Sequence, residues 1–156
     1  MRLDEQHPLN TKVLGYLSAR RKLSQHSHDP ILAPDQHPDP YMGAGSHPEA
    51  VERVWDDLGG ALPADSRALV HGTPALVHPV AGIVLALAFG TEYAIRVPAD
   101  TLAQALRLGC TDKQTWTGGG ETRIREVLGE DWLFGGWSDE EKQWVARLYR
   151  ELAPSA

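Results

Sequence analysis

The run Ile83 to Phe89 (IVLALAF) is apolar at every position and is followed at once by Gly90-Thr91 and a second strand-like run, Glu92 to Val97. Seven apolar residues are too few for a membrane helix, which needs about 20. A glycine-bearing pair between two such runs marks a tight hairpin. A strand that is apolar on both sides has to be covered on both sides. Whatever this chain folds into must therefore place material on the two faces of a sheet.

With Gly90-Thr91 as a two-residue loop, Phe89 faces Glu92, Leu87 faces Ala94 and Leu85 faces Arg96, while Ala88, Ala86 and Val84 meet Tyr93, Ile95 and Val97. Strict alternation predicts a smooth Ala86/Ala88 face and a bulky face of Leu85, Leu87 and Phe89. Two shorter segments, Arg67 to His71 and Ala75 to His78, precede the hairpin, and together they predict an antiparallel β-meander of about four strands. The bulky face needs an N-terminal arm, a C-terminal helix, a partner or a second copy of the chain. A homodimer through Leu85, Leu87 and Phe89 is the last of these.

Helices flank the meander. Ser46-His47-Pro48-Glu49 reads as a capping box with Ser46 at the N-cap, and Val51, Val54, Trp55 and Leu58 then recur on one face up to Gly59-Gly60. The capping role accounts for Ser46, which lacks the second glycine of a nucleophile elbow. Further helices are expected over Leu102 to Leu108 and Glu121 to Leu128. A second capping box, Ser138 to Glu141, opens a final helix with Trp144, Val145, Leu148 and Leu152 on one face. Thr111 to Thr117 reads as an edge strand. Helix, meander and helices in that order make an α+β domain over residues 46–156. Residues 1–45 are rich in proline and histidine, with only a weak helical pattern at Val13, Leu14 and Leu17, and read as an extended N-terminal arm.

The net charge is −6. Residues 1–46 hold five acids and five bases, and the remaining 110 hold sixteen acids and ten bases, so the whole excess lies in the domain. An acidic domain lacks the footprint of a phosphate-backbone binder, which argues against nucleic acid. The single Cys110 forms no internal disulfide, and neither a secretory apolar core nor a membrane span is present. The expected location is the cytoplasm.

Seven histidines raise the question of metal chemistry. His26-Ser27-His28-Asp29 resembles the HxHxDH motif of metallo-β-lactamase-like hydrolases over four residues, and the resemblance would imply a zinc site at His26, His28 and Asp29. The aspartate comes one residue early and the last histidine is missing. His71 and His78 end adjacent strands and are the candidate catalytic pair of a small metal-dependent hydrolase. Gly118-Gly119-Gly120 lacks the lysine and hydroxyl residue of a phosphate loop. No coherent catalytic set emerges and no resident cofactor is expected. The leading expectation is a protein-binding module with an acidic surface for a basic partner, such as a bacterial immunity-type inhibitor of a toxin enzyme. Its candidate contact residues are Asp56, Asp57, Glu130, Asp131, Trp132 and Trp137.

Overall fold

The computed structural model describes residues 2–20, 29–36, 46–115 and 118–153. The fold is α+β and its centre is a six-stranded antiparallel sheet: β1 (Ile31–Leu32), β2 (Arg67–Val70), β3 (Thr73–Val77), β4 (Val84–Phe89), β5 (Glu92–Arg96) and, after two intervening strands, β8 (Trp132–Phe134). The four-stranded meander is thus extended by one short strand at each edge. Both edge strands escape sequence reading because two or three residues carry no period.

The β4–β5 hairpin has the register that its loop dictates, with Phe89 opposite Glu92, Leu87 opposite Ala94 and Ala86 opposite Ile95. Strict alternation fails further along. Val77 pairs with Val84 and Leu76 with Ala86, so β4 carries one extra residue, Leu85, against β3. A bulge of this kind turns two consecutive side chains to one side. Leu85 accordingly packs with Ala86 and Ala88, while Val84 joins Leu87 and Phe89 on the other face. The expected Leu85/Leu87/Phe89 face does not exist as one surface.

Each face has its own cover. On the Leu85/Ala86 side lie α2 (Pro48–Glu52), its continuation as a π-helical turn (Arg53–Asp57) and α5 (Glu140–Glu151), contributing Val51, Val54, Trp55, Trp144, Val145 and Leu148. A short α3 (Leu102–Arg107) adds Ala105 to this core. On the other side lie α1 (Thr11–Arg20), with Val13, Leu14 and Leu17, and α4 (Ile124–Val127). The N-terminal segment read as an arm therefore supplies the second cover, against Val70, Leu87 and Phe89. Leu85, Leu87 and Phe89 are 0, 0 and 3% exposed within one chain, so they present no free apolar surface.

Residues 111–128 differ from expectation. Of the described residues in the expected edge strand, only Thr111 pairs with the main sheet, bridging Phe134; Lys113–Thr115 is strand β6, paired with β7 (Glu121–Arg123), and the helix expected from Glu121 begins only at Ile124. Among the described residues no helix is long and apolar enough to cross a membrane.

Candidate functional site

A helix-borne carboxylate organises one end of the molecule. Glu141 lies in the first turn of α5, on the stripe that continues through Trp144, Val145 and Leu148, and its side chain is fully buried. It does not reach back to cap its own helix. Glu141 Oε1 accepts hydrogen bonds from Arg53 Nη2 (3.1 Å) and from the Tyr93 hydroxyl, and Oε2 accepts from the Gly136 amide (2.6 Å) and the Cys110 thiol (3.3 Å). Four donors on one buried carboxylate give a desolvated anion the compensation it needs.

The donors are themselves tied. Arg53 is turned inward by the π-helical segment, and its Nη2 also donates to the Ser138 carbonyl (2.7 Å) while Nε donates to the Tyr93 oxygen (3.3 Å). The same Tyr93 oxygen accepts the Trp137 amide (2.8 Å). Burial and then the neighbouring Glu141 push the Tyr93 hydroxyl upward, so it stays protonated and donates. For the same two reasons, in the same order, Cys110 is pushed up to about 12. A thiol held so far above neutrality is a poor nucleophile. Burial opposes the charge on Arg53, but its bonds to Tyr93 and Glu141 outweigh that and raise its pKa.

This cluster presents Trp137 to solvent. Trp137 is 47% exposed and sits at φ 62, a left-handed conformation that a bulky residue adopts only under constraint. The constraint is visible. The Trp137 ring stands edge-on to Tyr93 (centroids 4.9 Å apart) with the Arg53 guanidinium 5.7 Å from its centroid. A Cβ on Gly135 would overlap the Tyr93 ring, and one on Gly136 would meet the Gly109 and Cys110 backbone, so the glycine pair lets the loop press against the cluster. Asp57, exposed, lies 3.6 Å from Arg53; Asp56 next to it in the chain is exposed as well, and Asp139 comes two residues after the tryptophan.

The other three contact candidates lie at the opposite end of β8. Trp132 is fully buried, under the Arg96 guanidinium (4.9 Å to the ring centroid), and is no surface anchor. Asp131 is paired with Arg96 Nη1 at 2.5 Å. Glu130 stands on a cleft of about 430 Å³ whose lining mixes Lys12, Lys113, Arg123 and Arg125 with Asp112 and Glu126, and its carbonyl accepts Arg125 Nε at 2.8 Å. Asp131 is thus committed to Arg96, and Glu130 belongs to a cleft of mixed charge rather than to a purely acidic patch.

The candidate histidine pair is not assembled. His71 and Gly72 (φ 47 and 82) form the two-residue β2–β3 turn, whereas His78 follows the far end of β3. Five residues of strand separate them by roughly 17 Å. His78 is 1% exposed and stacked on Tyr149 (4.3 Å). Its Nδ1 accepts from the Val80 and Ala81 amides (3.2 and 3.0 Å), so Nε2 carries the proton to the Tyr149 carbonyl (3.0 Å). Burial lowers its pKa and keeps the ring neutral. His47, not Ser46, caps α2, its Nδ1 accepting the Glu49 amide (3.2 Å). His26 and His28 lie outside the described residues, as does Trp116, and Asp29 is exposed. No group of three or more metal-ligating side chains occurs among the described residues.

Sequence reading missed Arg53, Tyr93, Arg96 and Glu141 as a set. A signal was present for two of them. Glu141 interrupts an apolar stripe, and Arg96 alternates with Ala94 on a strand whose two faces are both buried. No family model, curated protein or solved structure matches this chain.

Proposed function

We propose that the chain is a protein-binding module whose contact surface is centred on Trp137 and rimmed by Asp56, Asp57 and Asp139, and that its partner presents a basic surface. One observation carries the reading: an exposed tryptophan held in a left-handed backbone by a buried Arg53–Tyr93–Glu141 cluster. Preorganised, partly exposed aromatics are the side chains that most often dominate interface energy. Surrounding carboxylates add steering and selectivity for a cationic partner. An immunity-type inhibitor that blocks a basic toxin enzyme is one form of such a module.

The test is a low-salt pull-down with the purified chain from lysate of its native cells, run beside Trp137→Gly. The reading expects a stoichiometric basic protein that is lost with the variant and dissociates as salt rises. A partner retained equally by Trp137→Gly and by Asp56→Lys/Asp57→Lys would remove this surface from consideration.

A further inference from the structure

Three His-Pro dipeptides lie among the described residues, at 7, 47 and 78, and all three use one device: the imidazole Nδ1 accepts the backbone N–H two residues on. Each ring must be unprotonated at Nδ1 to do so. Two of the three serve the same segment. His7 caps the short 3₁₀ turn Pro8–Asn10 by accepting the Leu9 amide (3.1 Å). His78 shapes the connection from Pro79 to Gly82 onto which that segment docks. The docking bonds are explicit. Gly82 O accepts the Asp4 amide (2.9 Å) and Asn10 Nδ2 (2.8 Å), Val80 O accepts Arg2 Nη1 (2.7 Å), and Asn10 Oδ1 accepts the Val84 amide (3.0 Å).

We infer that residues 2–10 are a strap, capped by His7 and latched by the neutral imidazole of His78, that acid releases together with α1. Protonation puts an N–H at Nδ1 of His78, facing the Val80 and Ala81 N–H groups, and three donors cannot share the site. The Nε2 side is unaffected, because Nε2–H donates to Tyr149 in either state, so α5 stays while the Pro79–Gly82 connection must rearrange. His7 holds the cap of the strap's own turn. The charged and titratable groups that the contacts bring to the latch are Arg2 and Asp4 from the strap and Tyr149 from α5. Arg96 from β5 also reaches it, its Nη2 donating to the Leu9 carbonyl (3.1 Å) while Asp131 holds its Nη1. Burial lowers the pKa of His78, so the latch's contribution is complete above the ordinary histidine value of 6.5 and is lost as the pH falls below it. Release of α1 uncovers Val70, Leu87 and Phe89.

The experiment is hydrogen–deuterium exchange of the full chain at about pH 7.5 and about pH 5, corrected for intrinsic rates, on wild type, His7→Asn/His78→Asn and His47→Asn. Asparagine keeps an acceptor for the i+2 amide without titrating. Protection over residues 2–20 is expected to fall about tenfold at the lower pH, the equivalent of losing one net hydrogen bond, while β4 stays protected. The same fall is expected in His47→Asn and its abolition in the double variant. Unchanged protection in wild type, or an equal fall in the double variant, overturns the inference. If the double variant does not fold, wild-type NMR decides: a common midpoint for the His78 ring and the strap amides supports the latch, and separate midpoints overturn it.

Discussion

Two arginines enter the interior from opposite faces of β5, and they are stabilised in different ways. Arg53 meets a carboxylate, Glu141, that has no contact with solvent and is shared with Tyr93, Cys110 and the Gly136 amide. Arg96 is itself the more buried of the two, and its partner Asp131 is one-third exposed. Its other two nitrogens each donate to a carbonyl, Nε to Val84 (2.9 Å) and Nη2 to Leu9 (3.1 Å). Burial pulls the pKa of Arg96 down against the pull of Asp131, whereas the bonds of Arg53 prevail over burial. A buried arginine can thus be the hub of its cluster or one spoke of it. In the Arg96 region the cation is the hub, joining β4, β5 and the N-terminal strap. In the Arg53 region the anion is the hub, and what it holds in place is the surface loop of Trp137.

That contrast is broken most directly by removing each carboxylate. Glu141→Ala strands four donors, one of them a buried guanidinium, and is expected to cost about 4 kcal/mol in urea unfolding. Asp131→Ala strands only one proton-bearing nitrogen beside a solvent-reachable position, where water can take over, and should cost about 2 kcal/mol. Equal losses would mean that Glu141 is no more of a hub than Asp131. Glu141→Ala should also loosen the aromatic loop, seen as increased exchange of the Gly136 and Trp137 amides, while Asp131→Ala leaves those amides as they are.

Alkali separates the two regions by a different route. Cys110, on the Glu141 side, is pushed from an ordinary 9.0 up to about 12, so the unfolded chain releases this proton at lower pH than the folded one does. Stability tied to the protonated thiol is therefore full below pH 9 and declines as the pH rises from there toward 12. Tyr93, also shifted upward, adds to the decline in the same direction. Wild type should lose ground against Cys110→Ala over this range, and denaturant midpoints at a series of pH values would reveal it. The Arg96 side has no thiol or phenol in its hydrogen-bond set, so Asp131→Ala should leave the slope unaltered.

The sequence made local features legible and left cross-chain ones hidden. The β4–β5 register followed from a two-residue loop, and the apolar faces of α2 and α5 followed from helical spacing, because each depends on neighbours within a few residues. Leu85 changed faces because β3, a separate segment, sets the bulge. His47 displaced Ser46 as a cap because an imidazole before proline reaches the i+2 amide as an asparagine would. The site was half legible. Trp137 and Asp57 both lie against Arg53, but Trp132 looked equivalent to Trp137 only while its place on β8 was unknown. The Arg53–Glu141 pair spans 88 positions, and no pattern along the chain announces a contact of that separation.

The smallest expected effect is the most informative about purpose. At φ 62 a tryptophan bears a backbone penalty that glycine does not, on the order of 1 kcal/mol. The half of its ring that is covered, by Tyr93 and Arg53, contributes a comparable amount in the other direction. Trp137→Gly should therefore leave the unfolding free energy within about 1 kcal/mol of wild type. A loss of several kcal/mol would make Trp137 a structural cover for the Glu141 cluster. Near-neutral stability would mean that folding alone gives this chain little reason to hold a large aromatic in a strained, exposed position. The remaining reason is then what the indole touches outside the chain, and the same variant is the one that should abolish partner binding.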